Sequence, residues 1–303
     1  MDGISAGVRP HVDAAAEMLR PHLDAASALL QPHVRAASDL VRPHMDALMQ
    51  WRFVPDVTPY SGWLEPWLAV AVYFVVIRGL QAWRKGKKPL KFPAILFLHN
   101  ILLSIGSALL FAALAYVLFE KAFMDGYSLH NMICSEQMHD DGRLHMIYYI
   151  NYFFKYYELL DTVFLVLQSK EVLFLHSYHH AATLILTWSQ QREHSTVQWV
   201  PILLNLFVHI LMYYYYAMTT IKKGAKIWWK KYLTSIQISQ FVIDVIACAY
   251  AYTIFIVKGF NYEACYGTQT GAITGILILG SYLLLFIQFY QNTYKKSSPK
   301  KSD

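Results

Sequence analysis

Residues 172–189 read VLFLHSYHHAATLILTWS. No Asp, Glu, Lys or Arg interrupts them, and a bilayer crossing takes about 20 predominantly apolar residues. The stretch therefore reads as a transmembrane helix. Its first turns carry His176, His179 and His180. At about 100° per residue these fall near 0°, 300° and 40°, on one face. One histidine in a helix is usually packing. Three on one face inside a bilayer are not, because ionisable groups there are costly and mark function.

Working outward, similar spans follow at roughly 66–83, 93–119, 144–167, 197–218, 233–257 and 271–294. Those at 144–167 and 197–218 are studded with polar groups, so hydropathy alone leaves them less secure. Connections at 84–91, 168–171 and 222–231, with the C-terminal tail, hold 15 Lys and Arg, whereas the alternate connections hold 4. This alternation predicts seven spans, a cytosolic C-terminus and a lumenal or outside N-terminus. Composition agrees: 56% hydrophobic, 16% aromatic and 15% charged, against about 25% charge in soluble domains. That excludes disorder, collagen and coiled coil and argues against a soluble globule. The net charge of +6 reports lysine-rich loops rather than a nucleic-acid partner. No cleavable signal peptide is expected, since the first apolar run begins near residue 66.

Before the spans, Pro10, Pro21, Pro32 and Pro43 recur every eleven residues, each followed by histidine, in a unit resembling PHxDAAxxLLR. Eleven residues make about three helical turns. Val12, Ala15 and Leu19 share one face and Asp13, Glu17 and Arg20 another. Residues 1–60 thus read as an amphipathic helical string, kinked or restarted at each proline. It either lies on a lipid surface or is an alanine-rich tail. Residues 61–294 form the membrane domain and 295–303 a cytosolic lysine-rich tail.

Polar residues recur inside other spans. Asn151, Lys155, Glu158 and Thr162 lie within about 60° of one another, Asp161 about 80° to one side. Lys155 and Glu158 can pair at i,i+3. Asn205 and His209 stand one turn apart, with Tyr213 on the His209 face; Gln237, Gln240 and Asp244 share a face; His99 and Asn100 open the second span. All these clusters fall in the cytosolic half of the spans, while the lumenal halves read as largely apolar. One buried chamber opening to the cytosol accounts for this. Cys134 and Cys265 lie in the two long lumenal connections, where a disulfide or two free thiols are both allowed. Cys248 reads as packing.

A histidine chamber in a membrane suits two chemistries. Di-iron oxidation needs about eight histidines, and the spans hold five: 99, 176, 179, 180 and 209. Metal-free acyl chemistry needs only nucleophile and base. No metal or cofactor is expected. A seven-span transporter or receptor is the non-enzymatic alternative, but its polar residues should run through to the lumenal side.

At these residues the sequence resembles a known family. Lys155-Tyr-Tyr-Glu158-Leu-Leu-Asp161-Thr162 is similar to a KxxExxDT motif. His176-Ser-Tyr-His179-His180 is similar to an HxxHH box. Asn205 to Tyr216 resembles NxxxHxxMYxYY, Thr234 to Gln240 resembles TxxQxxQ, and Leu98-His99-Asn100 resembles an LHN signature. Together, in this order, they resemble the ELO fatty acid elongases over roughly residues 60–303; the repeat lies outside the pattern. The resemblance implies an all-α membrane protein of seven helices, six forming an inverted barrel around an acyl tunnel. It implies condensation of a long-chain acyl-CoA with malonyl-CoA to a 3-ketoacyl-CoA, CO2 and CoA. The Tyr178 and Tyr156-Tyr157 variants resemble those of polyunsaturated-acyl elongases.

By the same resemblance, His179 is the acyl-accepting nucleophile, with His176, His180 and His209 orienting it and moving protons. Direct condensation, with histidine only as base, is the competing mechanism. Lys155, Glu158, Asp161, Asn205, Tyr213, Gln237, Gln240, His99 and Asn100 are expected to hold substrate or site geometry. Lys230 and Lys231 are placed to attract CoA, or serve only topology. A Cys134–Cys265 disulfide and residence in the endoplasmic reticulum are implied. Lys300 and Lys301 match a dilysine retrieval signal or form a chance cluster. Expected partners are acyl-CoA, malonyl-CoA, membrane lipid and the ketoreductase, dehydratase and enoyl reductase of the elongation cycle. A homodimer stays open, as does the role of the repeat.

Overall fold

A computed structural model describes residues 20–21, 28–29, 31–33, 35–36, 38–40, 42–221, 227–259, 261 and 264–295. It divides into two units, Met1–Gln50 and Trp51–Asp303. In the first, the described residues through Gln50 are helical, Pro21, Pro32 and Pro43 among them. His11 and His22 of the repeat lie outside the described residues, as do Lys222, Lys223, Lys226, Lys300 and Lys301.

The second unit is all helical among its described residues. Its elements are α1 (Leu64–Arg84), α2 (Pro93–Phe119), short α3 (Leu129–Cys134) and α4 (Glu136–His139), α5 (Gly142–Leu167), α6 (Phe174–Arg192), α7 (Trp199–Ile221), α8 (Lys230–Val257) and α9 (Gln269–Tyr290). Helix starts follow local chemistry. Pro93 opens α2, where its missing N–H and fixed φ cost nothing. Asp141 caps α5 by accepting from Arg143 N, and Thr268 caps α9 by accepting from Gly271 N.

Five of the seven long helices are apolar enough to cross a membrane, with mean hydropathy of 1.3 for Leu64–Arg84 and 2.4 for Pro93–Met124. α7, which the sequence left less secure, is one of them: Thr196–Ile221 reaches 1.5. The two that fall short are α5 and α6, because they carry the lysine, acids and histidines described below. Many large apolar side chains face outward, including Trp67, Val75, Leu109, Ile246 and Leu284. In water so large an apolar surface would aggregate; in lipid it is the favourable one.

α2 packs on α7, α7 on α8, α8 on α9, α9 on α6, α6 on α5 and α5 back on α2. Six helices thus close a circuit, and α1 lies outside it against α5 and α6. α2 approaches α5 closely at Gly106, where a Cβ would stand 2.5 Å from the tip of the Phe154 ring and force that ring to move.

One end of the bundle is capped. Cys134 and Cys265 form a disulfide there. Tyr266 N donates to Cys134 O at 2.9 Å, and Trp199 Nε1 to Met132 O at 2.8 Å. The compact unit begins at Trp51, earlier than the boundary at residue 60 suggested by sequence, because residues 51–61 strap this same end. Tyr152 OH donates to Tyr60 O at 3.0 Å, Trp188 Nε1 to Ser61 O at 3.0 Å, and Arg192 Nη2 pairs with Asp56 at 2.7 Å. That guanidinium holds the Asp56 carboxyl below its ordinary range. Beside the cap, His139 and His194 are 3.1 Å apart, nitrogen to nitrogen, and His145 stacks edge-on to His139 at 4.6 Å. Burial, followed by the nearby His145, His194 and Arg52, pushes His139 down to about 3.

Candidate active site

At the other, lysine-rich end, three cavities follow one another into the six-helix circuit. The mouth, about 510 Å³, is lined by Lys91, His99, Asn100, Asp161, Lys170, His176 and Tyr216, among others. A chamber of about 240 Å³ comes next, sharing Asp161, His176 and Tyr216 with the mouth. Its walls include His179, His180, Asn205, His209, Lys230, Gln237 and Gln240. A narrow pocket of about 50 Å³ lies beyond, sharing His179, Asn205, Gln240 and Phe241 with the chamber. It runs along Thr183, Leu186, Thr187 and Gln190 of α6, Asn151 and Lys155 of α5, and Gln198.

The polar groups are organised in two circuits. In the first, Lys155 Nζ donates to Glu158 Oε1 at 2.8 Å and to Asn205 Oδ1 at 2.9 Å. Asn205 Nδ2 stands 3.1 Å from His209 Nε2, and His209 Nδ1 stands 3.3 Å from Glu158 Oε1. An ammonium only donates, so it fixes Asn205 with its oxygen toward Lys155. The amide NH2 then faces His209, whose Nε2 must accept. The ring proton is left on Nδ1, which lies 3.3 Å from Glu158 Oε1 outside hydrogen-bond geometry. The i,i+3 pair is thus more than a link within α5: it sets the tautomer of a histidine on α7.

In the second circuit, Asp161 receives His99 Nε2 at 2.6 Å and the Tyr213 hydroxyl at 2.7 Å, with His180 Nε2 3.8 Å away. Asp161 therefore ties α2, α5 and α7 together beside the box of histidines. Asn100 donates from Nδ2 to Leu96 O at 2.7 Å. Gln240 Nε2 stands 3.3 Å from Asp244 Oδ2, and Gln237 Nε2 3.7 Å from Met212 sulfur.

The three histidines of α6 are placed differently from one another. His176 and His180 rings are 4.5 Å apart, centroid to centroid. His179 instead meets Tyr282 at 4.6 Å and is flanked by Phe241 and Phe286. Its own carbonyl accepts from Thr183 Oγ1 at 2.6 Å and from Tyr282 OH at 3.2 Å, which holds this turn of α6 against α9. Its Nδ1 is buried without a partner. Of the four chamber histidines, only His179 also lines the narrow pocket.

Lys231 lines none of the three cavities; its Nζ sits 5.9 Å from the Tyr290 ring. Lys91 and Lys170 stand in the mouth instead. The sequence reading also missed the polar wall of the deep pocket. The inner halves of the spans are not purely apolar: Gln190, Gln198 and Asn151 are buried there. Gln190 Nε2 donates to Gly271 O at 2.8 Å, while Asn151 Oδ1 and Gln198 Oε1 have no partner. Gln190 and Gln198 sit at helix ends, where a linear sequence suggests exposed loop. The one available signal was that Asn151 shares the Lys155 face.

Comparison with known proteins gives concordant matches. Residues 58–302 match the family model ELO, described as the GNS1/SUR4 family. The chain is 39% identical over 254 residues to fatty acid elongase A of Dictyostelium discoideum, covering 83% of this chain and 91% of that one. It is 34% identical over 252 residues to fatty acid elongase sre1 of the same organism, covering 82% and 91%. Very long chain fatty acid elongase 2 of Mus musculus is 30% identical over 275 residues, covering 85% and 87%.

Proposed function

The chain belongs to the ELO family, and from this we propose that it is a fatty acid elongase that condenses an acyl-CoA with malonyl-CoA. The observation that carries the reading is the position of His179 between two unlike spaces. On one side is a chamber of histidines and amides; on the other is a narrow, largely apolar pocket that runs along α6 from His179 to Gln190. Gln190 stands eleven residues beyond His179 on one helix, about 16 Å along its axis.

In the reaction we infer, an acyl chain enters by the mouth with its thioester at His179, and its tail widens the narrow pocket as it passes along α6. The imidazole attacks the thioester carbonyl; the C–S bond breaks, CoA leaves as the thiol, and an acyl-imidazole remains. Malonyl-CoA then occupies the chamber. Loss of CO2 leaves an enolate on its second carbon, which attacks the acyl carbonyl and releases the imidazole. The product is a 3-ketoacyl-CoA two carbons longer. Splitting one condensation into two steps is the usual advantage of a covalent intermediate. Fixed donors on Asn205 and Gln240 supply the charge stabilisation an enolate oxygen requires. His180 and His209 shuttle the proton between nitrogen, thiol and solvent. Lys91, Lys170 and Lys230 sit where the phosphates of CoA would lie. As written, the reaction needs no metal or redox cofactor.

We infer a preference for an unsaturated chain, whose π-electrons would accept weak N–H contacts from the side-chain amides of Asn151, Gln190 and Gln198 in the narrow pocket. The two Tyr variants noted in the sequence support the same preference. The lysine-rich end faces the cytosol in this reading and the disulfide end the lumen of the endoplasmic reticulum. All seven long helices span, six of them forming the barrel; Lys300 and Lys301 retrieve the protein, and its product passes to the reductases and dehydratase of the cycle.

The test uses membranes containing the full chain, labelled malonyl-CoA and a panel of saturated and polyunsaturated acyl-CoAs, with and without chelator. A two-carbon-longer 3-ketoacyl product that resists chelator supports the reading and names the substrate. No product from folded protein on any acyl-CoA overturns it.

A further inference from the structure

α1, the helix outside the six-helix circuit, ends at Arg84 in a setting a cation should avoid. Arg84 is only 7% exposed. Its Nη2 donates to Lys88 O, and its guanidinium carbon lies 5.4 Å from the Trp83 ring centroid. Its Nε is buried with no acceptor, and no carboxylate pairs with it among the described residues. A buried charge without a counter-charge is strongly unfavourable.

Arg84 lines an open cavity of about 240 Å³ together with Gln81, Lys85, Lys87, Ser169 and Lys170. Each of these side chains offers a donor, and no carboxylate is among the lining residues. Glu171, next along the chain, is exposed and outside it. Two left-handed turns shape the rim, at Gly86 (φ 74°) and Ser169 (φ 53°). Leu90 N donates to Leu167 O at 3.1 Å and staples the two loops. Lysines beside a membrane need no ligand, because water and headgroups solvate them. A buried guanidinium with an unused donor does need one, and a fork of donors backed by ammonium groups matches a phosphate.

We propose that this cavity is a phosphate-binding site, separate from the histidine chamber. Two sources carry that chemistry: the phosphate of an anionic lipid headgroup and a phosphate of the CoA nucleotide. Lys170 lines both this cavity and the mouth of the chamber, so a nucleotide bound at the mouth reaches it; that second source rests on the elongase reading. The lipid source does not.

The test measures thermal unfolding of the full chain in neutral detergent. The probes are adenosine 3′,5′-bisphosphate, with adenosine as control, and dioctanoyl phosphatidic acid, with dioctanoylglycerol as control. One phosphate probe is expected to raise the midpoint saturably, the effect fading with salt. In the Lys85→Gln/Lys87→Gln double variant its apparent affinity falls about tenfold or more. Both lysines are exposed and line this cavity but not the mouth, so folding is preserved where Arg84→Gln can disturb it. A response to the bisphosphate assigns the substrate nucleotide; a response to phosphatidic acid assigns the lipid. If neither probe exceeds its control, or if the double variant responds as the parent does, the proposal is overturned. No turnover is read, so a wrong elongase reading cannot produce that result.

Discussion

Lys155 and Glu158 are each 2% exposed, so their charges depend on each other and on Asn205 and His209. Removing one partner of a buried pair leaves the other charge unpaired and costs about 3–5 kcal/mol. Glu158→Gln is therefore expected to lower the unfolding midpoint sharply, and the Lys155→Met/Glu158→Gln double variant to recover much of the loss. A double variant as unstable as the single one would show that the pair is not coupled in this way. Asn205→Leu removes the donor that fixes the His209 tautomer. It should lower kcat by about 10²-fold with little change in KM; a change confined to KM would place Asn205 in substrate binding alone. At this scale the sequence was readable as far as one helix reaches. Spacings of three and four placed Lys155 with Glu158 and Asn205 with His209. It could not show that the offset of Asp161 turns it toward His99 and Tyr213, because those partners come from other helices and only packing brings them together.

Helices were legible for a different reason. Runs of about 20 apolar residues between lysine-rich loops bound each element to within a few residues, since lipid thickness fixes span length. Hydropathy falls short at α5 and α6, whose polar faces dilute an otherwise apolar helix, whereas the sequence placed its doubt at α5 and α7. It also gave no sign of the capped end, where Thr196, Trp199 and Tyr266 reach backbone groups far along the chain. The Cys134–Cys265 bond closes a loop across 131 positions. Constraining a loop of that size contributes about 5 kcal/mol by chain entropy alone, against about 2–4 kcal/mol for a typical disulfide. Cys134→Ser/Cys265→Ser, or reductant, should lower the thermal midpoint and speed hydrogen exchange in residues 129–139 and 264–268. Unchanged exchange there would mean that the hydrogen bonds of the cap suffice without the bond. Asp56→Asn, at an exposed ion pair, should leave the thermal midpoint nearly unchanged.

For the whole molecule, acid acts on the histidines buried at the capped end. His139 at the capped end is held near 3 by burial, well below an ordinary histidine near 6.5. A histidine whose folded value is depressed stabilises the fold fully above its unfolded value. That contribution is lost as pH falls below about 6.5 toward 3. By pH 5 the loss from His139 is about 2 kcal/mol, so the thermal midpoint should fall between pH 7.5 and pH 5. His139→Gln should flatten that dependence; a profile that stays as steep would assign it to other groups. A polar chamber at one end was foreseeable from the depth of the polar residues in each span, whereas its continuation into an amide-lined pocket was not. That continuation depends on six helices closing into a circuit, and Gln190 and Gln198 enter it only once the circuit exists.

In the proposed reaction His179 carries the acyl chain at the junction of chamber and pocket. The most direct test incubates the purified protein with acyl-CoA and no malonyl-CoA, then combines thiol release with intact-protein and peptide mass spectrometry. One equivalent of CoA should be released, with a mass gain of one acyl group in place of hydrogen on the peptide bearing His179. Both should be absent in His179→Ala, and malonyl-CoA should chase the label into 3-ketoacyl product. Product formed from both substrates with no prior CoA release and no adduct at His179 would contradict it, leaving histidine as base in a direct condensation.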